Sequence, residues 1–311
     1  MSAFLQGTVV RLHGHHVWVR TESGDEYLCA VRGKFKKGKR RDRSPLAVGD
    51  VIHFEEVKDT DEDEGRILKI TDRDSELYRT HPRFPRQRQV LAANIDLLVI
   101  VVGADRVMEQ LITVDRLLIS AFSQGLNPVL VFNKTDLVNA ETLAEIAEPY
   151  AKVVTEIFFV SAEKSELGEL PAVFAGKSSV FAGMSGVGKS SLMNAIEPGL
   201  NLRVGVVDKV GEGKHTTTNS SLIPLAGGLV IDTPGVRDFG FWNLELPELS
   251  LYYPDFEQFR EHCKFNTCTH RHEPQCGVQM AVETETLDWG RYDRYLKILR
   301  ETWNELEARK P

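Results

Sequence analysis

The sequence predicts a multidomain α/β protein in three parts. A five-stranded β-barrel of the OB type comes first, then an α/β domain of the P-loop type, then a short helical domain gathered on cysteines and histidines. Three observations predict this. Residues 1–72 contain five short alternating strands with turn residues between them. Gly183–Ser190 reads G-x-x-x-x-G-K-S between an apolar run and a helical stretch. Cys263–Cys276 reads C-x4-C-x-H-x5-C.

The barrel strands are expected at 7–12, 17–20, 26–31, 50–57 and 65–70, where apolar and polar residues alternate. The pattern alone fits an SH3-like barrel as well. Between the third and fourth strands, Arg32–Arg43 is a dense basic loop with one aromatic, Phe35. Such a loop suits phosphate-backbone contact with RNA, and equally a solvated surface. Asp59–Glu64 reads as a solvated acidic turn, and His13, His15 and His16 as surface histidines. Residues 73–89 are proline-broken and basic, which predicts an extended linker that joins domains or lies along RNA.

Residues 90–245 form the second domain. Ile95–Val102 and Pro128–Phe132 are continuous apolar runs, as strands buried on both faces require. The second ends in Asn133-Lys134-Thr135-Asp136, an N-K-x-D segment. The Asp136 carboxylate can accept both N1–H and N2–H of guanine, whereas adenine offers no matching pair of donors. Asn133 and Lys134 would hold the loop and pack on the base. Ile157–Val160 is a further strand, followed by Ser161-Ala162, whose backbone N–H groups can meet guanine O6.

The phosphate loop comes next: Gly183, Met184, Ser185, Gly186, Val187, Gly188, Lys189 and Ser190, with Ser191 opening the helix. Its glycines let several N–H groups point at one phosphate chain at a helix N-terminus. Lys189 would reach the β- and γ-phosphates, and Ser190 would be a Mg²⁺ ligand. Thr216–Thr218, after Lys214 and His215, can supply a switch hydroxyl to Mg²⁺. Asp232-Thr233-Pro234-Gly235 is D-x-x-G: the aspartate would hold the Mg²⁺ water shell and the Gly235 N–H would sense the γ-phosphate.

Every part of a Ras-like GTPase is thus present, but in the order N-K-x-D, S-A, phosphate loop, threonine, D-x-x-G. The order marks a circular permutation, which neighbouring chain ends permit. It ties the D-x-x-G segment directly to the C-terminal domain. Ras-like enzymes place a glutamine after D-x-x-G to orient water, and here Val236 follows. His215 is the candidate substitute. Slow intrinsic hydrolysis, accelerated by a partner, follows from that gap.

Residues 246–311 are the third domain. Three thiolates and an imidazole suit a closed tetrahedral zinc site with no position left for catalysis. The imidazole is His270 or, competing with it, His272. Tyr292, Leu296, Leu299 and Trp303 recur at helical spacing, as a core-packing stripe does. No stretch is apolar for the roughly 18 residues of a membrane span. Met1–Gly7 lacks the basic and apolar parts of a signal peptide. One isolated cysteine and three clustered ones point to a metal site in a reducing cytoplasm rather than to disulfides. A net charge of −7 does not by itself announce a nucleic-acid binder.

The permuted order, Gly183–Ser190, Lys214–Thr218, Asp232–Arg237 and the cysteine–histidine spacing together resemble the small ribosomal subunit biogenesis GTPases of the RsgA family, also called YjeQ or YloQ. The resemblance covers nearly the whole chain. It implies a cytoplasmic factor, expected as a monomer, that binds the immature 30S subunit and its 16S rRNA late in assembly. It further implies hydrolysis of GTP to GDP under stimulation by the subunit, followed by departure. It implies nucleotide contacts at Asn133, Lys134, Asp136 and Gly183–Ser191, and zinc ligands Cys263, Cys268, His270 and Cys276. The switch threonine falls within Thr216–Thr218, with Thr217 favoured. The basic loop 32–43 has no counterpart among the motifs that carry the resemblance. An RNA-binding regulatory GTPase and a translation-factor-like GTPase acting on mature ribosomes are the competing readings.

Overall fold

In the computed structural model, the described residues are 4–14, 16–31, 42, 44–57, 64–81, 84–202, 220–232, 241 and 244–307. The basic loop 32–43 lies outside them except for Asp42.

The first five strands are β1 (Leu5–His13), β2 (His16–Arg20), β3 (Glu26–Ala30), β4 (Val51–Glu56) and β5 (Gly65–Ile70). They pair in the order β1-β2-β3-β5-β4, and β4 returns to β1, closing a barrel. The parallel β3–β5 contact, Cys29 opposite Gly65, is the OB-type closure that the alternation alone left open against an SH3-like one. Gly65 is needed there for space: a Cβ would lie 2.6 Å from Cys29 Sγ. Val9, Val17, Val19, Ile52, Phe54 and Ile67 fill the interior.

The segment 73–89, read as a linker, contains β6 (Glu76–His81) and the start of β7 (Phe84–Ala93), which pair antiparallel as a hairpin. Two of its arginines are structural. Arg73 forks onto the buried Asp50, with Nε–Oδ1 at 2.7 Å and Nη2–Oδ2 at 2.9 Å. Arg88 pairs with Asp42 and Glu76. The hairpin is therefore bound to the barrel by charge pairs that composition alone presents as a free basic stretch.

The second domain contains β8 (Leu97–Gly103), α1 (Val107–Ser123), β9 (Asn127–Asn133), α2 (Ala140–Ala147), β10 (Ile157–Val160), β11 (Ser178–Ala182), α3 (Lys189–Ile196), β12 (Ser220–Leu225) and β13 (Gly228–Asp232). The strand order is β10-β9-β8-β11-β13-β12, parallel except for β12. Central strands are apolar without interruption because both faces are covered. In β8, Leu98, Ile100 and Val102 face one core with α1 and α2, while Leu97, Val99 and Val101 face the other with α3. The barrel joins this sheet through β1 and β12, at Arg11–Ser221 and Leu12–Ser220.

The third domain has α4 (Glu257–Arg260), α5 (Gly277–Glu283) and α6 (Trp289–Glu307). Its core, with Leu249, Tyr253, Phe256, Tyr292, Tyr295 and Ile298, includes Ile119 from α1. Beneath that apolar contact lies a buried charge network. Arg291, 1% exposed, bonds Asp255 with two nitrogens (3.0 and 2.9 Å) and reaches Asp115 on α1. Asp115 also accepts from Arg294 Nε at 2.6 Å and from Tyr150 Oη at 2.9 Å. Among the described residues, no helix is long and apolar enough to cross a membrane.

Candidate active site and metal centre

The motif residues gather at the carboxyl ends of the parallel strands, where α/β sheets place ligands. Asn133 ends β9, Ser161 follows β10, Gly183 follows β11 and Asp232 ends β13. Asn133 is the junction. It is 1% exposed; its Nδ2 donates to the Val187 carbonyl at 2.9 Å, and its Oδ1 accepts from the Ala162 N–H at 3.0 Å. One side chain thus links N-K-x-D, the phosphate loop and the S-A segment, which lie far apart in sequence.

Close packing fixes the loop. Gly183 has φ 140°, and a Cβ there would meet the Val101 carbonyl oxygen at 2.3 Å. Gly188 has φ 93°, and its Cβ would meet Asn133 Nδ2 at 2.4 Å. These two glycines are required both by conformation and by approach. Val187 is buried in the α3-side core and anchors the loop from below. Met184, Ser185 and Gly186 are exposed at its tip. Lys189 opens α3 and turns back, donating to the Gly183 and Met184 carbonyls at 2.8 and 2.9 Å. Ser190 and Ser191, in the first turn of α3, are half-buried.

Asp136 accepts from Ser161 Oγ at 2.6 Å, and the same oxygen accepts from the Lys164 N–H. The Ser161 bond holds the Asp136 carboxyl below its ordinary pKa. It therefore remains an ionised, oriented acceptor. Lys134 has a left-handed φ of 67°, which reverses the chain at the strand end, and its Nζ lies 3.1 Å from Asp105 Oδ2. The β13 backbone carries Asp232 to the same edge of the sheet. His215, Thr216–Thr218 and Gly235 lie outside the described residues.

The C-terminal cluster is assembled by Cys263, Cys268, His270 and Cys276, whose ligand atoms all lie within 4.8 Å of one another. Cys263 Sγ is 3.8 Å from Cys276 Sγ, and His270 Nδ1 is 3.5 Å from Cys263 Sγ and 3.3 Å from Cys276 Sγ. These separations suit the edges of a tetrahedron around one ion, so the donor set fits a metal site. His272 is exposed and outside the cluster, so His270 is the imidazole. Burial drives the His270 pKa down to about 4, keeping it neutral as a ligand must be. Burial also raises the Cys268 and Cys276 thiols, so an arriving cation would displace protons from them.

Sequence reasoning missed Glu273 and Tyr295, which shape this loop, and read Tyr292 only as core packing. Glu273 accepts from Thr269 N, Thr269 Oγ1, Arg271 N and His272 N. Burial alone would raise its pKa, but these bonds outweigh burial and hold it at about 2. Tyr292 and Tyr295 donate to the carbonyls of His270 and Thr269, both at 2.7 Å, and tie the loop to α6. Also missed were Asp105, Gln110 and Asp115. Gln110 and Asp115 occupy buried positions of α1, and a polar residue within an amphipathic apolar face was the available signal.

Residues 70–242 match the protein family described as RsgA GTPase. A small ribosomal subunit biogenesis GTPase of Geobacillus thermodenitrificans is 37% identical, covering 98% of this chain and 99% of its own. The Flavobacterium johnsoniae protein of the same description is 35% identical, covering 95% and 93%. The crystal structure of YjeQ from Thermotoga maritima superposes with a TM-score of 0.77 at 33% identity, covering 97% of this chain and 99% of that one. The structure of YloQ, described as a circularly permuted GTPase, gives 0.73 at 30% identity, covering 99% and 97%. With the permuted motif order, the closed barrel and the cysteine–histidine cluster beside them, the chain belongs to the RsgA family of circularly permuted GTPases, enzymes that hydrolyse GTP.

Proposed function

We propose that this chain hydrolyses GTP on the immature small ribosomal subunit and leaves once that subunit has matured. The description shared by its relatives supports the partner. The observation that carries the site reading is the junction at Asn133, which couples base recognition to the phosphate loop through two hydrogen bonds. In this reading Asp136 accepts from guanine N1–H and N2–H, while the Ser161 and Ala162 N–H groups, expected from sequence to meet O6, are already donated to the Glu166 carbonyl and to Asn133 Oδ1 and hold the loop instead. Gly183–Ser191 wraps the phosphates, and Lys189 moves from its loop carbonyls to the β- and γ-phosphates. Ser190, Thr217 and Asp232 serve Mg²⁺, which when bound neutralises charge on the phosphates. Gly235 senses the γ-phosphate and His215 orients water.

Cys263, Cys268, His270 and Cys276 hold one structural zinc. Two Zn–S bonds of about 2.3 Å at the tetrahedral angle give a sulfur–sulfur edge of about 3.8 Å, in agreement with the Cys263–Cys276 separation of 3.8 Å. All four positions are then filled, so the ion supports folding rather than chemistry. The barrel contacts 16S rRNA, with the role of the basic loop 32–43 left open, and the protein acts in the cytoplasm as a monomer.

The test is GTP turnover alone, with mature 30S, with 30S from cells lacking this protein, and with working 70S ribosomes. Strong stimulation by the immature subunit is expected. No stimulation by any subunit would refute the proposal, and equal stimulation by 70S would favour a translation factor. Lys189→Ala should abolish turnover; unchanged hydrolysis would mean the phosphate loop is misassigned.

A further inference from the structure

The turn that follows β8 carries no recognised nucleotide motif, yet it touches the site. Its shape is set by Gln110, a side chain only 6% exposed in the first turns of α1. Gln110 Oε1 accepts from the Gly103 N–H at 2.9 Å, while its Nε2 donates to the carbonyls of Gly103 and Arg106 at 2.9 and 2.8 Å. A turn fixed by a buried amide presents its side chains in a defined direction. Asp105 leans back over Gly103, where a Cβ would lie 2.7 Å from Asp105 Oδ1. Gly103 has extended backbone (φ −82°), so glycine is needed here for room rather than for conformation. The other carboxylate oxygen accepts from Lys134 Nζ at 3.1 Å, and Lys134 is Asp105's sole polar side-chain partner among the described residues.

We infer that Asp105 is a positioning residue of the nucleotide site, holding the Lys134 ammonium in place for the base; this rests on the GTPase reading above. Lysine has a long flexible stem, and binding that must order it loses affinity. A carboxylate fixed by the Gly103–Gln110 turn does the ordering before the nucleotide arrives. Lys134 follows Asn133, which is bonded to the phosphate loop, so the brace acts on the base side of the same junction. Base-side contacts are common to GDP and GTP, and uniform binding of this kind changes KM and leaves kcat alone.

The experiment measures affinity for fluorescent GDP and GTP analogues with the full, metal-loaded chain, together with subunit-stimulated turnover. A partly exposed ion pair sets the size, so Asp105→Ala should weaken both nucleotides about two- to five-fold. KM should rise with kcat unchanged, and the difference from wild type should shrink in 1 M salt. Gly103→Ala should reproduce the loss, because its methyl group displaces the Asp105 carboxylate. In a Lys134→Ala background, Asp105→Ala should have no further effect. An Asp105→Ala protein with a lowered melting temperature but wild-type nucleotide affinity would overturn the inference. So would an undiminished loss in the Lys134→Ala background. Wild-type GDP affinity in both Lys134→Ala and Lys189→Ala would overturn the nucleotide site itself, and the brace with it.

Discussion

Replacing Asp115 by asparagine should loosen the third domain from the GTPase domain more than any surface change. The network holds two arginines, Arg291 and Arg294, and two aspartates, Asp115 and Asp255, so its formal charge is zero. Asp115 has no exposed side-chain surface, and Arg291 has 2%. Asparagine keeps the shape but removes one negative charge, leaving a net positive cluster where water does not reach. Breaking a buried pair from one side costs about 3–5 kcal/mol. For a cooperative unit with an m-value of about 4 kcal/mol/M, the guanidinium midpoint falls by about 1 M. Tyr253, Tyr292 and Tyr295 are buried in this core, so near-UV circular dichroism can follow the unit in metal-loaded protein, whereas Trp289 and Trp303 of α6 are exposed and report little. Tyr150→Phe calibrates the scale. It removes the donor to Asp115 Oδ1 and the acceptor for Arg294 without changing charge, and should cost about 0.5–1.5 kcal/mol. An Asp115→Asn protein within 1 kcal/mol of wild type would refute the argument, because the arginines would then be shown to be satisfied by solvent.

Asn133→Ala should raise KM for GTP at least ten-fold, because the Val187 carbonyl and the Ala162 N–H lose their buried partner at about 1–3 kcal/mol each; steady-state kinetics at saturating subunit checks this. Removing the metal with a chelator should release one equivalent of zinc and lower the melting temperature of the third domain without unfolding it at neutral pH, while His272→Ala should retain full metal content and His270→Ala should lose it. The metal-free chain should also be acid-sensitive. His270 binds a proton at about 4 in the fold against 6.5 when free, so the unfolded state holds more protons between those values. Stability should therefore be lost as pH falls from about 6.5 to about 4, and a flat denaturation profile across that window would contradict the burial of the imidazole.

The legible parts of this protein were those in which chemistry is written in adjacent residues. G-x-x-x-x-G-K-S, N-K-x-D and C-x4-C-x-H-x5-C each concentrate their ligands within one loop, so spacing was enough to find them. Their permuted order was legible for the same reason. Charge, by contrast, could not be assigned from composition. The arginines of 73–89 read as a basic linker, but Arg73 and Arg88 are engaged by Asp50 and Asp42 from other segments of the chain, and Arg88 also by Glu76 of its own hairpin. The choice between His270 and His272 also depended on tertiary burial, since both imidazoles sit within a few residues of the cysteines.

The same limit explains why the connection between domains was visible only as covalent continuity. Permutation ties the D-x-x-G segment to the third domain along the chain, and that much follows from motif order. The structure adds a second route through α1. At its start, Gln110 holds the Gly103–Arg106 turn against the base-side lysine; five residues later, Asp115 holds Arg291 and Arg294 of α6. Because α1 is buried against the sheet on one side and the third domain on the other, it cannot shift at one end without straining the other. The third domain is thus packed on a helix already braced against the nucleotide site. For the partner stimulation proposed above, this is a physical path that does not depend on the D-x-x-G segment alone.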